Sequence, residues 1–171
     1  MKEVLSVDIF LTGSYELSDY DKFEIHNYLE NYIGGHHYHL LVYRNIEKEI
    51  LKFFIKNDDK CGQLTVYLPY TLNEQPKQIK EPLLYLKKLG TKVVELKLED
   101  KVMYRSTYLS LLERIILKTD SVLSFYNEDN SKRLIPVDFA KKYQIESHIF
   151  DLPKNDEDKI YRQLEEKIRV V

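Results

Sequence analysis

Glycine is scarce in this chain, with five among 171 residues. That bears on function, because loops that cradle phosphate through backbone amides generally draw on glycine. Cysteine is rarer still. The single Cys61 excludes an internal disulfide framework and a cysteine-rich zinc site, and it suits a reducing cytoplasm, where the chain is expected to reside. Tryptophan is absent. No apolar run approaches the ~18 residues of a membrane span, and the stretch MKEVLSVDIFLTG is too short and too interrupted by charge for a secretory signal. An excess of one charge is lacking as well: 26 Lys+Arg against 28 Asp+Glu give a formal net charge of −2. Phosphate backbones call for a concentrated basic surface, so the expectation is no general nucleic-acid binding, and no membrane partner either.

What the chain does have is a 43% apolar and 32% charged composition that fits one soluble globular domain over residues 1–171, and 14 tyrosines. Strand-like and helix-like stretches alternate. Val4–Leu11 reads as a strand ended by the turn Thr12-Gly13-Ser14. Ser18 or Asp19 can cap a helix carrying Phe23, Ile25, Tyr28, Leu29, Tyr32 and Ile33, stopped by Gly34-Gly35. Tyr38–Tyr43 is a second strand, and Ile46, Ile50, Phe53 and Phe54 stripe a second helix. Leu64–Leu68 is a third strand, followed by a helix from near Pro76 to Gly90 with Ile79, Leu83, Leu86 and Leu89 inward. Lys92–Leu98 alternates like a strand nearer an edge. A long helix over Val102–Leu117 turns Leu109, Leu112, Ile115 and Ile116 inward. Strands at Ser121–Tyr126 and Ser147–Phe150 flank a short helix over Val137–Tyr143, and Asp156–Arg169 makes a charged terminal helix with Ile160, Leu164 and Ile168 as its seam. This rhythm predicts a single doubly wound, Rossmann-like α/β domain: a mostly parallel sheet of five or six strands flanked by helices.

In such sheets ligands bind beyond the carboxyl ends of the strands. The segments placed there are Thr12-Gly13-Ser14-Tyr15, Tyr43-Arg44-Asn45, Pro69-Tyr70-Thr71 and Tyr126-Asn127-Glu128 through Ser131-Lys132-Arg133. Gly13 lets amides approach a phosphate and the Ser14 hydroxyl can donate to one, yet neither GxGxxG nor GxxxxGK[ST] occurs, and a plain strand-to-helix turn reads equally well. Arg44 opposes the helix dipole at its position, which invites an anionic ligand or a local partner such as Glu47 or Glu49. Tyr104-Arg105 sits early in the long helix, from which an arginine can reach over the sheet edge. His36, His37 and His39 fall at the amino end of the second strand, with no carboxylate or cysteine spaced to complete a metal set, so no metal is expected. GxSxG is absent too, and no nucleophile triad is supported.

The turn LTGSYEL, together with Tyr104-Arg105-Ser106 on a helix ahead of Lys118-Thr119-Asp120-Ser121-Val122-Leu123-Ser124-Phe125-Tyr126, resembles the SLOG superfamily of Rossmann-like proteins. That superfamily takes in the DNA-processing DprA proteins, the "lonely guy" phosphoribohydrolases and YpsA-like proteins. Phe139-Ala140-Lys141-Lys142 and the following strand extend the likeness, which spans about residues 4 to 152. The resemblance implies nucleotide-type ligands at the carboxyl edge and a homodimer or higher homo-oligomer. It matches Gly13 and Ser14 to the first turn, Arg105 to the arginine of an Arg-Asn pair, and Tyr126–Ser131 to the last loop. The chain departs from the pattern at Ser106, which replaces the asparagine, at the glycine-free Tyr43-Arg44-Asn45, and in lacking the PGGxGTxxE signature of the phosphoribohydrolases.

The expected function is therefore binding of a nucleotide-derived small molecule, as a sensor or sequestering protein, without efficient catalysis and with no cofactor. Gly13, Ser14, Tyr15, Tyr43, Arg44, Asn45, Tyr70, Tyr104, Arg105, Tyr126, Asn127 and Ser131 are the candidate ligand residues. Arginines would hold the anionic group and tyrosine faces would cover base or ribose. Two alternatives stay open. One is a nucleotide N-glycosidase with Glu128 or Asp138 as the working carboxylate; the other is a protein-interaction module with a decayed pocket.

Overall fold

The computed structural model describes residues 6–99 and 102–153. Eleven regular elements alternate in sequence: β1 (Asp8–Gly13), α1 (Asp19–Tyr32), β2 (His37–Leu41), α2 (Glu47–Lys56), β3 (Leu64–Leu68), α3 (Lys77–Leu89), β4 (Lys92–Glu95), α4 (Arg105–Ile116), β5 (Ser121–Tyr126), α5 (Ile135–Lys142) and β6 (Glu146–Asp151). Short 3-10 turns occupy Asp58–Gln63, Leu72–Glu74 and Ser131–Leu134. The expected terminal helix over Asp156–Arg169 lies outside the described residues.

All five strand pairings are parallel, and the sheet order is β4-β3-β2-β1-β5-β6. The chain winds outward from β1 to β4, then returns to the other side of β1 for β5 and β6. Parallel neighbours need crossovers of one hand, so the reversal puts helices on opposite faces. Ile25 and Leu29 of α1, Ile50 and Phe54 of α2 and Leu83 and Leu86 of α3 pack with Leu11, Leu40, Leu64 and Val66 on one face. Leu112, Ile115 and Ile116 of α4 and Val137 and Ala140 of α5 pack with Phe10, Leu41 and Val122 on the other. The expected α/β doubly wound sheet is what forms, with six strands.

Local departures have local causes. Phe23 is 59% exposed, because it stands two residues from the buried Ile25, roughly 200° around the helix. Tyr32 (65% exposed) ends α1 and rests on Tyr28, with ring centroids 4.8 Å apart. In α4 the buried positions are Leu111, Leu112, Ile115 and Ile116, while Leu109 is half-buried. That helix begins at Arg105 and not Val102, since Tyr104 is extended (φ −74°, ψ 152°). Leu89 at the end of α3 is exposed.

The histidines of β2 face a polar stripe on the α4 side of the sheet. His39 hydrogen-bonds the Tyr67 hydroxyl through Nδ1 (2.9 Å) and the Asp8 carboxylate through Nε2 (2.8 Å), and His37 Nε2 meets the Thr65 hydroxyl at 2.7 Å. Among the described residues, no three His, Cys, Asp or Glu side chains stand as a metal-binding group.

Candidate functional site

The winding reverses between β1 and β5, and the carboxyl edge beside that reversal is where a parallel sheet leaves room for a ligand. The turn at the centre of the edge is closed by internal bonds. Gly13 lies so close to β5 that a Cβ there would collide with the Phe125 carbonyl oxygen and stand 2.8 Å from Ile46 Cγ2. Here glycine serves strand-to-loop packing. Ser14 is wholly buried; its amide donates to Phe125 O (2.8 Å) and its hydroxyl accepts from the Asn127 amide (2.9 Å). The Asn127 side chain donates to Glu16 O (2.6 Å) and Asp21 Oδ2 (2.9 Å), while Ser18 caps α1 in a reciprocal pair with Asp21.

Asp129 completes the closure. Its Oδ2 accepts from the Tyr15 amide at 3.0 Å and the Glu16 amide at 3.4 Å. Those amides lead into α1, where a phosphate would otherwise find donors. A carboxylate from 114 residues further along the chain holds them instead.

Beside this closed turn, on the α4 side, lies an open cleft of about 310 Å³. Tyr43 and Arg44 of the loop after β2, Tyr104, Arg105 and Tyr108 at the start of α4, and Lys132 and Arg133 after β5 form its walls, with Met103, Asn130 and Ile135. Four cations thus converge, and among the described residues none of them forms an ion pair with a carboxylate. Arg133 Nε is buried with no hydrogen-bond acceptor among the described residues, and its guanidinium lies 5.9 Å from the Tyr15 ring. Arg44 stands 5.7 Å from the Tyr43 ring on a left-handed backbone (φ +46°), a conformation that costs a non-glycine residue energy. Tyr43 and Tyr108 pack at 5.4 Å, and burial pushes the Tyr108 hydroxyl up to about 12, against the lowering pull of Arg133. Behind the cleft, burial pushes the Glu47 carboxyl up to about 7, although the amides of Glu47 and Asn45 and the charges of Lys48 and Arg133 pull it down.

Of the sequence candidates, the cleft unites Tyr43, Arg44, Tyr104 and Arg105. Tyr15 and Asn45 border a separate groove of about 650 Å³ on the α1–α3 side. Asn127 and Glu128 border an acidic hollow with Glu16 and Asp129. Tyr70, Tyr126, Ser131 and Asp138 border none of these three openings. Tyr108 was not foreseen, although its place four residues after Tyr104 puts it on the same helix face.

Neither a protein-family model nor a curated protein matches the chain. Among solved structures, the chain is similar in fold to a DNA-processing protein. This is the DNA processing protein A of Helicobacter pylori, described for its single-stranded DNA binding mode, with a TM-score of 0.62 and 12% sequence identity. The alignment covers 84% of this chain and 64% of that one, so this chain spans under two thirds of its neighbour. The likeness is one of fold, and it falls within the group that the LTGSYEL and Tyr104-Arg105-Ser106 segments resemble. It also corrects one expectation. Balanced charge predicts no general nucleic-acid binding, yet DNA processing protein A, which has this fold, binds single-stranded DNA. Net charge was the wrong measure, because association follows the local potential, and here four cations gather in one cleft of a chain whose total is −2. As for a membrane partner, no helix among the described residues is long and apolar enough to cross a bilayer.

Proposed function

We propose that the cleft at the carboxyl edge binds single-stranded nucleic acid, seating a nucleotide between Arg44, Arg105, Lys132 and Arg133 on its phosphate side and the tyrosines on its base side. The observation that carries this reading is the convergence of four cations, unpaired among the described residues, with three tyrosines in one open cleft. Guanidinium groups bind phosphate oxygens with two parallel hydrogen bonds, and aromatic faces accept any base. Tyr104 is 57% exposed, so its ring is available for stacking. The openness of the cleft favours a strand, since pockets for small ligands enclose most of the ligand surface. The single-stranded DNA binding of the H. pylori protein supports the same choice.

A second reading, a free nucleotide-derived ligand, draws on the cleft's volume of about 310 Å³, which is the size of a single small ligand. The glycosidase reading gains no support from the geometry, because Glu128 and Asp138 do not border the cation cleft. Fluorescence anisotropy with a labelled thymidine oligomer tests the proposal. The wild type should bind, and Arg44→Ala/Arg105→Ala should bind roughly tenfold or more weakly, the loss expected on removing two charge-assisted contacts. Tight binding of mononucleotides with none of the oligomer would select the second reading. Equal binding by wild type and double variant would end both.

A further inference from the structure

We infer that the bound strand does not stop at the cleft but crosses the sheet edge over Tyr15 into the groove on the opposite face, where Lys22, Lys48 and Lys52 receive its next phosphates. The inference rests on the single-strand reading of the cleft and extends it to a second, separate site. The groove is larger than the cleft, about 650 Å³ against about 310 Å³, and runs between the first turns of α1, α2 and α3. Its wall is mixed: Leu17 and Pro82 offer apolar surface, and the three lysines stand around it. Lys22 and Lys48 form no ion pair among the described residues. Two acids border the groove, Glu16 and Glu49; Glu49 is paired with His26 at 2.8 Å and with the exposed Lys52 at 3.3 Å, so the unpaired cations of the groove, among the described residues, are Lys22 and Lys48.

Two features join the groove to the cleft. The loop after β2 is a shared wall, giving Tyr43 and Arg44 to the cleft and Asn45 to the groove. Tyr15, which borders the groove and is 48% exposed, lies against the guanidinium of Arg133, which borders the cleft. A base leaving the cleft therefore meets an aromatic face before it meets the lysines. Apolar and aromatic surface for bases, alternating with cations for phosphates, is the arrangement that sequence-tolerant single-strand binding requires. The other neighbour of Tyr15 is the hollow lined by Glu16, Glu128 and Asp129, whose like charge repels phosphate. Glu16 borders both openings, but the groove sets three lysines against Glu16 and Glu49 whereas the hollow is lined by acids and no base, which gives the strand a direction.

The track predicts a dependence on length that the cleft alone does not. Labelled thymidine oligomers of about three and about twelve nucleotides are compared by anisotropy on the whole chain. The longer should bind the wild type roughly tenfold or more tightly, and Lys22→Ala/Lys48→Ala/Lys52→Ala should remove that advantage while leaving the short oligomer unchanged. If the triple variant fails to fold, Tyr15→Ala carries the same test at a half-exposed side chain, and should weaken the longer oligomer more than the shorter. Equal affinity of the wild type for both lengths, or a triple variant that keeps the advantage, overturns the track. If Arg44→Ala/Arg105→Ala weakens both oligomers in that case, the cleft reading survives alone. If neither oligomer binds the wild type, both readings fail.

Discussion

At the scale of single residues, Glu47 ties burial to pH. Its carboxyl sits in the first turn of α2, 6% exposed, with Oε2 accepting from the Asn45 amide at 2.7 Å. Burial outweighs that bond and the nearby cations, and the group titrates near 7 against an ordinary 4.5. A carboxyl raised in the folded state keeps its proton where the unfolded chain has lost it. Folding is thus favoured at the acid end, and the benefit is lost as pH climbs from about 4.5 through about 7. The full swing is on the order of 3 kcal/mol. Glu47→Gln stays neutral throughout and can still accept from Asn45. The unfolding free energy of the wild type relative to Glu47→Gln, from urea midpoints, should therefore fall by about 3 kcal/mol between acid and mildly alkaline pH. A difference that stays flat with pH would show that the carboxyl is solvated.

At the scale of elements, the sheet divides into a sealed centre and two open margins. Every residue of β3 is buried, as are most of β1, β2 and β5, whereas β6 has no buried residue and β4 has none either. Backbone hydrogen bonds open locally in proportion to the packing that covers them. Amide exchange in β4 and β6 should run roughly tenfold or more ahead of β1 and β5, read by mass spectrometry of peptic fragments; uniform protection across the six strands would contradict this division. These elements were legible in sequence because each strand is a short β-branched or aromatic run fenced by glycine, proline or polar turns. Leu64–Leu68 and Ser121–Tyr126 emerge with the ends the sequence suggests. What sequence could not supply is contact at a distance. Tyr43 and Arg44 could be placed at the carboxyl edge, and so could Tyr104 and Arg105. Only the return of the chain from β4, at one margin, to β5, beside β1, brings the start of α4 over the loop after β2. Asp129 bonding the amides of Tyr15 and Glu16 belongs to the same class, since no local pattern links positions so far apart.

At the scale of the whole molecule, a chain with two more acids than bases is proposed to hold a polyanion. The two statements agree because screening confines the field of a surface charge to about 8 Å at physiological ionic strength. A phosphate in the cleft feels Arg44, Arg105, Lys132 and Arg133, and hardly feels acids across the sheet. Each phosphate neutralised on a single strand releases about 0.7 of a counterion. Four cleft cations fully engaged therefore imply a slope of about −3 in log affinity against log salt. Raising sodium chloride from about 50 to about 200 mM should weaken the binding of a short thymidine oligomer by roughly fiftyfold, and Arg105→Ala should flatten the slope by about 0.7. If overall charge governed instead, the −2 of the molecule would repel the oligomer, and added salt would strengthen binding. The sign of the slope thus decides whether the local cluster or the net charge controls association.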